Sequence, residues 1–179
     1  MKLFTTVVMV GVLIYSVNSA LNYNRKYNID KLEAYYGGFA SFTQHRAYNK
    51  IEELVAYAMS FEGTPYKAKG KNPEGFDCSG FTRYIFKEFG IYLPASSKGQ
   101  AQYGDPVLEE ELQLGDLVFF LGSNVKSDVI GHVGIVTEVT QYSVRFVHSS
   151  TSNGIMVNDL KQDAYYKLRY QGGRRVTID

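Results

Sequence analysis

Asp77-Cys78-Ser79-Gly80-Phe81-Thr82-Arg83-Tyr84-Ile85-Phe86-Lys87-Glu88-Phe89-Gly90 is the stretch on which the fold turns. Asp is a residue type that caps helices, because its carboxylate accepts from the free N–H groups of the first turn. Phe81, Ile85, Phe86 and Phe89 recur at helical spacing and form one apolar stripe. Gly90 supplies a stop. The spacing predicts a helix that begins at Cys78 or Ser79 and runs to Phe89, with the thiol in its first turn.

Upstream, residues 66–76 are polar and carry Gly70, Pro73 and Gly75, which reads as a loop. Before them, Ile51, Leu54, Val55, Ala58 and Met59 mark a second amphipathic helix from Tyr48 to Phe61, ended by Glu62-Gly63-Thr64-Pro65. Downstream, Pro94-Ala95-Ser96 opens a shorter helix to about Tyr103. After Leu114-Gly115-Asp116 the texture changes. Leu117–Leu121, His132–Val139, Ser143–Ser149, Ile155–Asn158 and Tyr166–Tyr170 read as strands. Helices first and strands second imply an α+β domain with a largely antiparallel sheet. With Thr140 at the centre of the middle hairpin, His132 and His148 would be direct cross-strand partners on one face.

Composition narrows the function. The chain has 179 residues, 45% hydrophobic and 21% charged, which suits one globular domain with a short leader. Formal net charge is +1, from 19 basic and 18 acidic residues, so no nucleic-acid surface is implied. One Cys excludes an internal disulfide, a four-Cys zinc site and a Cys-held cluster.

Lys2, the nearly continuous apolar run Leu3 to Val17, and the small residues of Val17-Asn18-Ser19-Ala20 read as a secretory signal peptide over residues 1–20, cut after Ser19 or Ala20. An uncleaved anchor is the alternative, but a span needs about 20 apolar residues. Residues 21–47 read as an arm or linker and 48–179 as the main folded domain. The leader makes Cys78 an unpaired thiol in an extracytoplasmic compartment, where it is inert, paired between chains, or reactive.

A thiol nucleophile needs help to ionise and a base that can protonate the leaving group. The helix dipole at Cys78 favours thiolate. One histidine could serve as base and the other as its orienter. A Cys with two His could also hold zinc. His45, the remaining histidine, reads as a surface residue of the arm.

Asp77-Cys78-Ser79-Gly80-Phe81, Gly115-Asp116-Leu117-Val118-Phe119-Phe120, Gly131-His132-Val133-Gly134-Ile135-Val136 and Phe146-Val147-His148-Ser149-Ser150, in this order, resemble the NlpC/P60 family of cell-wall cysteine peptidases. The resemblance spans roughly residues 48–170. It implies a papain-like α+β fold, with the nucleophile at a helix N-terminus packed on a five- or six-stranded antiparallel sheet. It further implies Cys78 as nucleophile, His132 as general base and His148 as its orienter. Tyr66 would support the oxyanion or thiolate. Asp77, Ser79, Ser97 and Gln100 would contact substrate.

The implied substrate is the stem peptide of peptidoglycan, cut between γ-D-Glu and the diamino acid, with no cofactor, no metal and no obligate protein partner. Two strings depart from the family's usual pattern. Lys67-Ala68-Lys69-Gly70 stands where members often have Trp-Gly-Gly, and Ala95 where many have Arg. The other readings are a related papain-like wall amidase, a catalytically inactive wall-binding module on the same fold, and a zinc protein.

Overall fold

The first turn of the Cys78 helix is held in place by its own sequence. Asp77 accepts a hydrogen bond from Gly80 N at 2.6 Å, and the helix α2 runs Cys78–Glu88. Phe89 closes it, and Gly90 follows at φ +81°, a conformation that favours glycine. The computed structural model describes residues 50–122 and 128–178, all within one compact unit, Ala47–Asp179. The expected signal peptide over residues 1–20, the expected arm over 21–47, His45 and the expected start of the first helix at Tyr48 lie outside the described residues. Among the described residues no helix is long and apolar enough to cross a membrane.

Helix α1 occupies residues 50–59 and turns its Leu54, Val55 and Ala58 into the core. Helix α3 is shorter than expected, Ser97–Gln100, because Ser96 caps it through Gly99 N and the turn closes by Ala101. The loop before Cys78 contains a small hairpin, β1 (Lys71–Asn72) and β2 (Gly75–Phe76).

Six strands form the main sheet, all paired antiparallel: β3 (Asp105–Val107), β4 (Leu117–Leu121), β5 (Ile130–Val139), β6 (Val144–Ser150), β7 (Gly154–Asp159) and β8 (Tyr170–Arg175). Their order is β3-β8-β4-β5-β6-β7. Strand β3 is absent from the sequence reading, and its Pro106 is a residue that disfavours strands. It is tolerated here because β3 lies at the sheet's edge.

The central strand β4 is buried at every position. Leu117 and Phe119 pack with α1 and α2, while Val118 and Phe120 pack with Phe146, Leu160 and Tyr166 on the other face. Apolar side chains thus cover both faces, and each fully buried Phe contributes about 1.5–3 kcal/mol.

One expected element is different in kind. Residues Tyr166–Tyr170 are rich in β-formers and read as a strand, but Ala164–Arg169 is a helix, α4. Asp163 caps it by accepting from Tyr165 N at 2.9 Å. The last strand begins only at Tyr170. The local cap overrides the β-propensity of the tyrosines.

The middle hairpin corrects the expected register. Val139 pairs with Val144, so the turn spans residues 140–143 rather than centring on Thr140. Further along, Ile135 pairs with Val147, after a register shift between Val136 and Glu138. Continuing that register sets His148 across from Gly134, two residues from His132. The two histidines are diagonal neighbours on one face, not direct partners. Without the extra residue at the bulge they would point to opposite faces, since a one-residue slip inverts a strand.

Candidate active site

Cys78 is the first residue of α2, and its Sγ lies 3.8 Å from Gly131 O, beside the strand that carries His132. Backbone N–H groups of Cys78, Ser79 and Val133 favour the thiolate, but burial and then the Asp77 carboxylate outweigh them and push the thiol up to about 11. The helix start favours the thiolate as expected, but burial and the Asp77 charge outweigh it. The residue that caps the helix also places a negative charge beside the sulfur.

Tyr66 sits on the same side. It forms a parallel bridge with Phe76, immediately before Asp77. Its phenol is pushed up by burial, then by the charges that Cys78 and Asp77 carry when ionised.

His132 and His148 share a direct hydrogen bond, Nε2 to Nδ1 at 2.9 Å. Gly134 makes this diagonal approach possible. A Cβ there would stand 2.6 Å from Phe146 Cδ2 and 3.2 Å from His148 Cβ. His148 is fully buried, and its Nε2 lies 2.8 Å from Asn158 Oδ1 and 3.3 Å from Tyr166 Oη. Asn158 in turn donates from Nδ2 to Asp163 Oδ2 at 3.1 Å.

This chain of partners assigns the tautomers. Asp163 can only accept, so the Asn158 amide nitrogen faces it and the amide oxygen faces His148. His148 Nε2 must then carry its proton and donate. A neutral His148 accepts at Nδ1, so His132 donates from Nε2. That leaves the lone pair of His132 on Nδ1, the nitrogen not engaged with His148. Burial, and then His148, pull His132 down to about 3, and burial also lowers His148. Both rings are neutral at pH 7. Each bond in the chain is worth about 1 kcal/mol, but stranding one of its buried groups costs about 1–3 kcal/mol.

The residues expected to touch substrate fall into two groups. Asp77 and Ser79 lie at the helix start, although Asp77 Oδ1 already receives Gly80 N and faces Ser79 Oγ at 3.2 Å. Ser79 Oγ also stands 3.1 Å from Ala95 O. Gln100 is a correction. It is fully buried and cannot line a pocket, because its amide ties Pro94 and Ser79 carbonyls together and accepts from Thr82 Oγ1. Ser97 is buried at the start of α3.

Among the described residues no group of three or more His, Cys, Asp and Glu could hold a metal ion, and the two facing histidine nitrogens bond each other.

Asn158, Asp163 and Tyr166 are site residues that the sequence reading missed. The available signal was Asp163, an Asx residue four residues before Lys167 and directly before Ala164-Tyr165, which is a helix-capping pattern.

A cysteine at a helix N-terminus, its Sγ beside Gly131 of the strand that carries one of two hydrogen-bonded histidines, on an antiparallel sheet, is a papain-like α+β arrangement. Residues 63–175 match the NlpC/P60 family, and the chain belongs to it. It is similar to the murein DD-endopeptidase MepS/murein LD-carboxypeptidase of Escherichia coli (strain K12), 38% identical over 117 residues, which cover 65% of this chain and 57% of that protein. It is also similar to the gamma-DL-glutamyl hydrolase of Bacillus subtilis (strain 168), 34% identical over 129 residues, 72% of this chain and 30% of that one. The chain thus spans less than two thirds of the length of both relatives. A crystal structure of an NlpC/P60 family protein from Bacillus cereus ATCC 10987 superposes with a TM-score of 0.63 at 32% identity, covering 72% of this chain and 40% of that one.

Proposed function

We propose that this chain is a secreted peptidoglycan endopeptidase that cuts stem peptides between γ-D-Glu and the diamino acid through a Cys78 thioester. The observation that carries the reading is the His132–His148 hydrogen bond, 2.9 Å long, on a strand whose Gly131 O lies 3.8 Å from the thiol in the first turn of a helix. The two hydrolase relatives support the substrate class. Residues 1–20 act as a cleaved leader and place the domain outside the cytoplasm.

With both groups neutral at rest, proton transfer accompanies attack. His132 Nδ1 takes the thiol proton as Sγ bonds to the amide carbonyl carbon. The carbonyl oxygen becomes an oxyanion near the N–H groups of the helix start, with Tyr66 alongside. His132 then gives its proton to the departing amine, the C–N bond breaks, and the acyl group remains on sulfur. His132 next takes a proton from water, the hydroxide adds to the thioester, and the thiol leaves reprotonated. His148, fixed by Asn158, keeps Nδ1 of His132 as the basic nitrogen throughout. No cofactor is part of this sequence of steps.

Mass analysis of the products from defined muropeptides tests the reading. It expects fragments ending in γ-D-Glu. Cleavage at a different bond only, or none, would refute the assigned specificity.

A further inference from the structure

The leaving half of the substrate must lie against the residue that protonates it. A half-open cleft of about 450 Å³ adjoins His132 and is not lined by Cys78. Its walls include Gly131, Ser150 and Asn153 from the sheet side, and Tyr166 and Arg169 from α4. The acyl half stays with the sulfur, so a cleft that meets the base but not the nucleophile belongs to the amine-bearing half.

The cleft carries one guanidinium, Arg169, and one carboxylate, Asp163, and the two are not paired with each other. Arg169 is stacked with its guanidinium carbon 3.6 Å from the Tyr165 ring centroid, and its Nη1 donates to Tyr165 O at 3.2 Å. Its Nε is buried with no partner. Among the described residues, no carboxylate comes within 4.0 Å of the guanidinium. Asp163 also lines the cleft, but its two oxygens are engaged by Tyr165 N and Asn158 Nδ2. Stacking and the backbone bond hold the guanidinium in one orientation and leave one edge of the fork unused. Such a fork matches a carboxylate, which can bind it in a bidentate manner.

We propose that this cleft is the leaving-group subsite and that Arg169 selects a free carboxylate on the amino acid released by cleavage. The proposal rests on the endopeptidase reading and specifies its substrate. An amino acid with a carboxylate beside or beyond its reacting amine is taken, and the corresponding amide is disfavoured. Tyr165 is a positioning residue that presents the guanidinium.

The test uses two stem peptides that differ only in the leaving residue, one with a free carboxylate and one with a carboxamide. kcat/KM is measured for the full-length wild type, Arg169→Gln and Arg169→Lys. Wild type is expected to prefer the carboxylate by about 10-fold or more, the scale of one charge-assisted contact. Arg169→Gln should erase that preference through KM, by loss on the carboxylate peptide alone. Arg169→Lys should keep part of it, because the charge remains while the fork is lost.

A preference that survives in Arg169→Gln overturns the proposal, and so does an equal fall on both peptides. Equal cleavage of both by wild type overturns the subsite alone. Cleavage of neither by wild type overturns the endopeptidase reading, and the subsite with it.

Discussion

His132 and His148 are hydrogen-bonded across the sheet at 2.9 Å although strand register sets His148 opposite Gly134. Two features of the hairpin produce this. The bulge between Val136 and Glu138 returns the histidines to one face, and the bare Gly134 lets His148 lean toward His132. Gly134→Ala should therefore separate the pair by forcing Phe146 and His148 aside. The expected result is a fall in kcat of at least 10-fold, with a stability loss of about 1–3 kcal/mol from overpacking. Steady-state kinetics and denaturant unfolding check both values.

His132→Ala should remove turnover almost completely, whereas His148→Ala should reduce it less, because an orienting group matters less than the base it orients. Asn158→Ala should act in the same direction as His148→Ala. It releases His148 Nε2 and lets the ring take the other tautomer, with kcat falling about 10-fold and KM little changed. Nitrogen-15 spectra of the imidazoles provide an independent readout, since the account requires protonated Nε2 on both rings. Protonated Nδ1 on His148 in the wild type would refute the relay.

Burial pushes Cys78 up to about 11. The free thiol should therefore alkylate slowly at pH 7, with a rate that keeps rising above pH 9. Iodoacetamide kinetics between pH 5 and 10 measure this. A flat, fast rate between pH 5 and 8 would mean a preformed thiolate–imidazolium pair, contrary to this account.

Both buried histidines have their proton affinity lowered in the folded state, His132 to about 3. Unfolded histidine titrates near 6.5. Below that pH the unfolded chain binds protons that the folded chain does not, so stability falls as pH drops. Each histidine costs up to about 1.4 kcal/mol per pH unit in the window from roughly 6.5 downward, and for His132 this continues to about 3. Urea midpoints at pH 7 and pH 5 should differ in wild type. They should differ less in His132→Phe.

Arg175 reaches Asp116 with two hydrogen bonds, Nε to Oδ1 at 2.9 Å and Nη2 to Oδ2 at 2.8 Å. Asp116 is only 2% exposed, and it also accepts from Gln113 N. Arg175→Met strands a buried carboxylate and should cost about 2–4 kcal/mol, while Asp116→Asn/Arg175→Met together should cost less than the sum. Unfolding midpoints of the two singles and the double decide this.

The helix at Cys78 was legible because cap, stripe and stop all fall within one short local segment, Asp77 to Gly90. Strand β4 was legible for the same reason, as an uninterrupted apolar run between turn signals. The histidine register was not, because it depends on where a four-residue turn closes and on a bulge at Thr137, and neither leaves a mark in hydrophobic periodicity. Helix α4 was missed because Asp163 had to be weighed against tyrosines that favour strands. The burial of Gln100 was invisible for a different reason: its amide is satisfied by backbone carbonyls of Ser79 and Pro94, brought to it only by the tertiary fold.

The central claim is that Cys78 forms a thioester with the γ-D-glutamyl carbonyl. Its most direct test is mass spectrometry of one defined muropeptide digested by wild type and by Cys78→Ala, with circular dichroism confirming that the variant folds. The account predicts fragments ending in γ-D-Glu from wild type and intact muropeptide from the folded variant. Cleavage by Cys78→Ala at the wild-type rate would contradict it.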